Sequence, residues 1–165
     1  MKKIHVSKVV VNIGEGEVGE SVDKAEKLLK KLTGREPVRT ESGRGAKTFG
    51  KRAGLNIGTM VTLRGEEARE FIDRVAPAAG EIDEGSFDGN GNFSFGVGEY
   101  IDVPGVDYDS DIGMKGFEVA VSLERPGYRV KRRDHKPSEV GRQHRVSDRE
   151  AREFVDSELD LKVKQ

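Results

Sequence analysis

From Phe117 to Leu123 the chain alternates without a break. Phe117, Val119, Val121 and Leu123 are large and apolar, and Glu118, Ala120 and Ser122 between them are polar or small. Successive side chains of a β-strand point to opposite faces, so this run describes a strand with one buried side. Leu55 to Arg64 repeats the pattern: Ile57, Thr59, Val61 and Leu63 point one way, and Met60, Thr62 and Arg64 the other. Two half-buried strands require a sheet with one face on a core and one face open to water or to a partner. Ile4 to Ile13 is rich in Val and Ile and reads as a further strand. Phe93, Phe95 and Val97 alternate inside the Gly/Asn-rich stretch Phe87 to Val97, and Pro37 to Glu41 is a short extended piece.

The covering layer is equally visible. Ala25, Leu28, Leu29 and Leu32 follow helical spacing, Ser21 is placed to cap their helix, and Gly34 stands where a helix C-cap favours glycine. Ala68, Phe71, Ile72 and Val75 mark a second helix, Glu66 to Ala76, ended near Pro77. Ser147 and Glu150 form an S-x-x-E capping box before Ala151, Phe154 and Val155, which predicts a last helix at about 148–159. Lys162 to Gln165 is expected to fray. The order β-α-β-β-α-β-β, a basic arm, then α predicts an α+β fold. Helices pack on one face of a largely antiparallel sheet, and the other face is exposed. One domain over 1–165 is expected, with a long loop at 42–54 and a basic arm at 125–146.

Composition then excludes several functions. The 165 residues contain no Cys, so disulfides, thiolate metal sites and cysteine nucleophiles are out. No run approaches the ~18 apolar residues of a membrane helix, so an intracellular, cytoplasmic protein with no membrane partner is expected. The net charge is −1, but it is sorted along the chain. Arg35 to Arg52 holds six basic and two acidic residues; Val75 to Met114 holds nine acids and no Lys or Arg; Glu124 to Arg145 holds eight basic and three acidic residues. Two basic blocks flanking an acidic one suggest a footprint for a polyanion on part of the surface.

Gly14-Glu15-Gly16-Glu17-Val18-Gly19 is a literal G-x-G-x-x-G between a strand and a helix. Its two glutamates would repel a pyrophosphate, and the chain lacks the further βα units of a dinucleotide fold, so it reads as a turn. His5, His135 and His144 lack companions at ligand spacing. Asp107, Asp109 and Asp111 lack the glycine and distal glutamate of a calcium loop. No catalytic constellation, cofactor or metal site is expected. The arm Arg125-Pro126-Gly127-Tyr128-Arg129-Val130-Lys131-Arg132-Arg133, with Arg142-Gln143-His144-Arg145, offers arginine forks and a stacking ring for RNA. Pro126-Gly127 is expected to lead it off the sheet, and such arms often order only on RNA.

Several motifs come in a recognisable order: V-V-V-N-I-G-E-G (9–16), L-T-G-R-E-P-V-R-T (32–40), V-T-L-R-G (61–65), E-F-I-D-R (70–74) and F-D-G-N-G-N-F-S-F-G-V (87–97). They resemble the L-five family of large-subunit ribosomal proteins. R-P-G-Y-R-V (125–130) and Q-H-R-V (143–146) resemble its archaeal and eukaryotic branch, and the archaeal type is the expectation. The resemblance spans Ile4 to about Val163. It implies a non-enzymatic constituent of the large subunit that binds 5S rRNA and large-subunit rRNA in the central protuberance. It implies peptidyl-site tRNA, small-subunit protein thirteen (through a bridge) and the neighbouring 5S rRNA-binding protein eighteen as further partners. Carried over by position, the 5S rRNA contacts are Asn12, Arg35, Thr62 and Arg64. Bacterial members usually carry Gln where this chain has Arg35, which keeps donors and loses an acceptor. The tRNA-proximal loop carries Arg44, Lys47, Lys51 and Arg52. The rRNA-binding arm carries Arg129, Lys131, Arg132, Arg133, His144 and Arg145.

The residue chemistry agrees with that assignment. Thr62 and Arg64 share a strand face about 7 Å apart, and Asn12 at a strand end has both a donor and an acceptor. The acidic stretch 81–111 would be repelled by rRNA and is expected at the periphery or against a basic protein.

Overall fold

The computed structural model of the chain describes residues 1–43 and 53–164. Among the described residues, seven strands and four α-helices follow in the order β1 (His5–Gly14), α1 (Glu20–Thr33), β2 (Val38–Glu41), β3 (Asn56–Arg64), α2 (Glu66–Ala79), β4 (Glu81–Ile82), β5 (Asn92–Val97), β6 (Phe117–Glu124), α3 (Arg129–Arg132), α4 (Asp148–Glu158) and β7 (Lys162–Val163). The main sheet has the order β2-β3-β1-β6-β5. β2 pairs antiparallel with β3, Val38 opposite Met60 and Thr40 opposite Gly58. The end of β1 meets the start of β3, where the Glu15 N–H donates to the Ile57 carbonyl at 2.9 Å. The Gly91 carbonyl before β5 accepts from Leu123 near the end of β6 at 3.0 Å. These end-to-start pairings are the antiparallel arrangement that the alternating strands require.

Two compact units divide the chain. One comprises Val10–Leu63 and Gly96–Val119. Its core gathers Val11, Ile13, Val61 and Leu63 from the strands with Val22, Ala25, Leu28, Leu29 and Leu32 of α1, all buried. Gly34 closes α1 in the left-handed conformation, φ 69°, its N–H donating to Lys30 at 2.9 Å. The helix starts at Gly19 without a side-chain cap, so Ser21 lies inside the first turn and does not cap it. The acidic stretch 100–116 is folded onto this core. Tyr100 is fully buried, its hydroxyl accepting from the Asp109 N–H at 2.9 Å, and Val103 and Ile112 of the same stretch are buried as well.

The other unit comprises Met1–Val9, Arg64–Phe95 and Ala120–Gln165. Ala68, Phe71, Ile72 and Val75 of α2, Phe93 and Phe95 of β5, and Val121 and Leu123 of β6 are buried in it. α2 continues past Pro77 to Ala79. Proline supplies a helical φ there, and its missing N–H removes only one bond from the last turn. β5 begins at Asn92, one residue before the alternation of Phe93, Phe95 and Val97, all of which it buries. Residues 88–91 form a turn in which the Asp88 carboxylate accepts from the Asn90 N–H at 2.8 Å and the Asn92 N–H at 3.0 Å. Lys162 and Val163 do not fray: as β7 they pair in parallel with β4, Lys162 opposite Glu81 and Val163 opposite Ile82.

Candidate nucleic-acid interface

β3 buries Thr59, Val61 and Leu63 and exposes Met60, Thr62 and Arg64. The buried side carries the polar Thr59, whose hydroxyl donates to the Val38 carbonyl at 3.2 Å. On β2, Arg39 opposes Thr59 and so lies on the helix side, where it pairs with Asp23 at 2.7 Å and Glu26 at 2.9 Å of α1. The hydrogen bonds that it donates to Glu26, then Asp23, hold the Arg39 guanidinium pKa above its ordinary value. Arg39 therefore belongs to the α1–β2 packing. Val38, Thr40, Met60 and Thr62 face the other way.

Thr62 and Arg64 project from the exposed face of β3, as the alternation requires. Arg64 has no hydrogen bond or ion pair through its side chain among the described residues. Asn12, on the neighbouring strand β1, is half-buried and lines a groove of about 310 Å³ with Gly14, Gly96, Gly116 and Glu118. Glycines keep side chains out of that groove, so its wall is largely backbone, which suits a surface that meets RNA by shape. Arg35 stands in the turn between α1 and β2. It is exposed, with its N–H donating to Thr33 Oγ1 at 3.3 Å. Arg44, Lys47, Lys51 and Arg52 lie outside the described residues.

The turn at 14–19 is tied to the start of β3 and to Lys115. The Glu15 and Gly16 N–H groups both donate to the Ile57 carbonyl, at 2.9 and 3.1 Å, and Glu15 pairs with Lys115. Two of the turn's N–H donors are thus taken up by β3, and the Glu15 and Glu17 carboxylates stand where a pyrophosphate would need positive charge.

The basic arm differs most from expectation. It does not trail from the sheet; it is folded on its own polar contacts. Arg125 is 8% exposed; its guanidinium pairs with Glu150 of α4 and donates to the Gln143 carbonyl at 3.4 Å. Tyr128 Oη accepts from the Val146 N–H at 3.0 Å and donates to the His144 carbonyl at 3.3 Å. His144 Nε2–H donates to the Pro126 carbonyl at 2.8 Å. Arg132 clamps Glu124 with both Nη groups, at 2.8 and 3.0 Å. Arg133 donates to the Lys136 carbonyl at 2.8 Å. Arg145 donates to the Val140 carbonyl at 2.9 Å and pairs with Glu139 at 3.0 Å. Proline and glycine break the strand, but these non-local partners bring the chain back.

Of the six arm residues singled out in the sequence, Arg129 and Lys131 are exposed, and their side chains have no polar partner among the described residues. Arg132, Arg133, His144 and Arg145 each hold a protein partner. Their contacts with RNA would compete with, or share, those bonds. Arg142, exposed and with its side chain likewise unpartnered among the described residues, is a cation that spacing alone did not distinguish. The capping box is intact: Ser147 Oγ accepts from the Glu150 N–H, and Glu150 accepts from the Ser147 N–H at 3.1 Å. That N–H leads the causes that hold the Glu150 carboxyl below the ordinary glutamate range; the Ser147 hydroxyl and Arg125 add to it, and partial burial opposes. Asp88 is held low as well: burial pushes it up, and the hydrogen bonds from Asn92 and Asn90 outweigh that.

No described helix is long and apolar enough to cross a membrane. Two family descriptions cover nearly all of the chain: "Ribosomal protein L5" matches residues 1–52, and the description of the C-terminus of the same ribosomal family matches residues 56–159. The large ribosomal subunit protein uL5 of Sulfurisphaera tokodaii is 46% identical over 165 residues, 99% of this chain and 93% of that protein. The protein of the same name from Nanoarchaeum equitans is 46% identical over 165 residues, and that from Cenarchaeum symbiosum 41% identical over 164, each across 99% of this chain and 97% of its own length. With the sheet, the motifs and these matches in agreement over almost every residue, the chain belongs to the ribosomal protein L5 family.

Proposed function

We propose that this chain is a structural constituent of the large ribosomal subunit that binds 5S rRNA through the exposed face of its sheet. Membership of the family makes it a structural ribosomal protein and not an enzyme. The observation that carries the RNA assignment is Arg64, exposed and unpartnered among the described residues, beside Thr62 on a strand whose other face is buried. An unpaired arginine fork can grip a base edge or a phosphate, and a threonine hydroxyl can reach a ribose 2′-OH. Asn12 on the adjacent strand and Arg35 beyond α1 complete the proposed contact set. The basic arm adds contacts to large-subunit rRNA through Arg129 and Lys131 first. The 42–54 loop approaches peptidyl-site tRNA through Arg44, Lys47, Lys51 and Arg52. Small-subunit protein thirteen and the neighbouring protein eighteen are the proposed protein partners.

Arg64→Ala tests the central contact. It weakens 5S rRNA binding by about 1–3 kcal/mol if the arginine reads a base. Wild-type affinity in a gel-shift titration removes Arg64 from the interface.

A further inference from the structure

The folded arm borders a half-open pocket. The pocket has a volume of about 450 Å³ and is lined among others by Tyr128, Lys131, Pro137, Ser138, Val140 and, from the turn before β5, Asn90. That volume is in the ~300–1,000 Å³ range of small-ligand sites and accommodates one nucleotide. All of its lining residues belong to the same compact unit.

The walls are of two kinds. Tyr128 contributes a ring whose position is fixed at both ends of its hydroxyl, by the Val146 N–H and the His144 carbonyl. Val140, which is buried, and Pro137 supply apolar surface. Around these stand an amide (Asn90), a hydroxyl (Ser138), an ammonium (Lys131) and the Glu139–Arg145 ion pair, whose two charges offset each other at 3.0 Å. Neither the Ser138 hydroxyl nor the Lys131 ammonium has a hydrogen-bond partner among the described residues. A ring and apolar surface suit the face of a nucleobase, an amide and a hydroxyl give both donors and acceptors for its edge, and an ammonium suits the adjoining phosphate. A phosphate alone would leave the apolar walls unused. The arm around the cavity is strongly basic, eight cations to three acids over residues 124–145, which favours an RNA strand over a peptide as the source.

We propose that this cavity receives one unstacked nucleotide of single-stranded RNA, with its base between Tyr128 and Val140 and its phosphate toward Lys131. The inference rests on the arm being an RNA-binding element, and it adds a seat for a base to what would otherwise be contact with phosphates alone. The folded arm is then a preformed receptor: the contacts of Arg125 and Tyr128 shape the cavity before any RNA arrives.

The test uses the full chain, labelled for amide NMR, with four probes: inorganic phosphate, adenosine, the four nucleoside monophosphates and a mixed-sequence RNA hexamer. Monophosphates and hexamer are expected to shift the amides of Lys131, Ser138 and Val140, with phosphate alone leaving Val140 unmoved. Ser138→Trp fills the cavity without changing any charge. It should weaken hexamer binding about tenfold, the order of one lost base stack, and leave its salt dependence unchanged. Asn90→Ala, remote in sequence from the arm, should weaken it in the same direction and guards against misfolding of the filled variant. Val140 unmoved by every nucleotide, or wild-type hexamer affinity in both variants, overturns the proposal. Failure of the arm assignment looks different: a combined Arg129→Ala, Lys131→Ala, Arg142→Ala chain then binds large-subunit rRNA with wild-type affinity and salt slope.

Discussion

Gly58 shows how tightly single residues are constrained in β3. It opposes Thr40 of β2, and a Cβ built on it would lie 2.7 Å from Thr40 Oγ1 and 2.8 Å from the Ile13 carbonyl oxygen. The hydroxyl can rotate away, but the carbonyl is held in the sheet. Gly58→Ala is therefore expected to destabilise the chain by about 1–3 kcal/mol, read as a shift of the urea midpoint with an unchanged slope. Arg125 is the second sensitive position. Its guanidinium is buried on Glu150 and the Gln143 carbonyl. Arg125→Met keeps the volume of the stem and removes the donors, so it should cost about 1–3 kcal/mol. The loss should be concentrated in the arm, as faster amide exchange from residue 126 to 146, with the β3 amides still protected. An unaltered exchange pattern would show that the arm folds without Arg125. In the sequence, Arg125 is one more arginine in a basic run. Its different role depends on Glu150, 25 residues away, and no local pattern reports that.

Among the elements, α4 is the most legible and β7 the least. The S-x-x-E box before an apolar stripe specifies its own partners within one helical turn, and both bonds of the box form. Ser147→Ala removes one of them and is expected to cost about 1 kcal/mol. Glu150 adds a pH dependence whose sign follows from its depressed pKa. Its ionised form is favoured by the fold, so that stability is complete above the pKa of the unfolded chain. It is lost as pH falls through the lower, folded value. Thermal unfolding from neutral pH into the acid range should show this loss, and Glu150→Gln should flatten that part of the profile. The strand alternation is legible because period two maps directly onto burial, and the helix stripes because period 3.6 does. β4 and β7 have two residues each; no periodicity fits in so short a segment, and only tertiary pairing defines them. The α1 start is hidden for a related reason: Gly19 begins the helix with no side-chain cap, so the serine two residues on is a false signal. The candidate site divides along the same line. The exposed side of β3 can be read residue by residue. The pairing by Glu124, Glu139 and backbone carbonyls, which leaves Arg129 and Lys131 unpartnered among the described residues, cannot.

For the molecule as a whole, the net charge of −1 conceals its arrangement. Some of the basic block at 35–52 is neutralised within the fold, since Arg39 is held by two acids of α1. Much of the block at 124–145 is likewise committed to protein partners. The cations left for RNA are fewer than the sequence count, so the salt dependence of binding should be correspondingly moderate, about one phosphate contact per unpartnered cation in the interface. Binding of the purified chain to 5S rRNA, against a control RNA of the same length and across a salt series, tests the central claim most directly. The account predicts tighter binding to 5S rRNA at every salt concentration, with both affinities falling as salt rises and the preference for 5S rRNA reduced by Arg64→Ala. Equal affinity for the two RNAs throughout the series would contradict it.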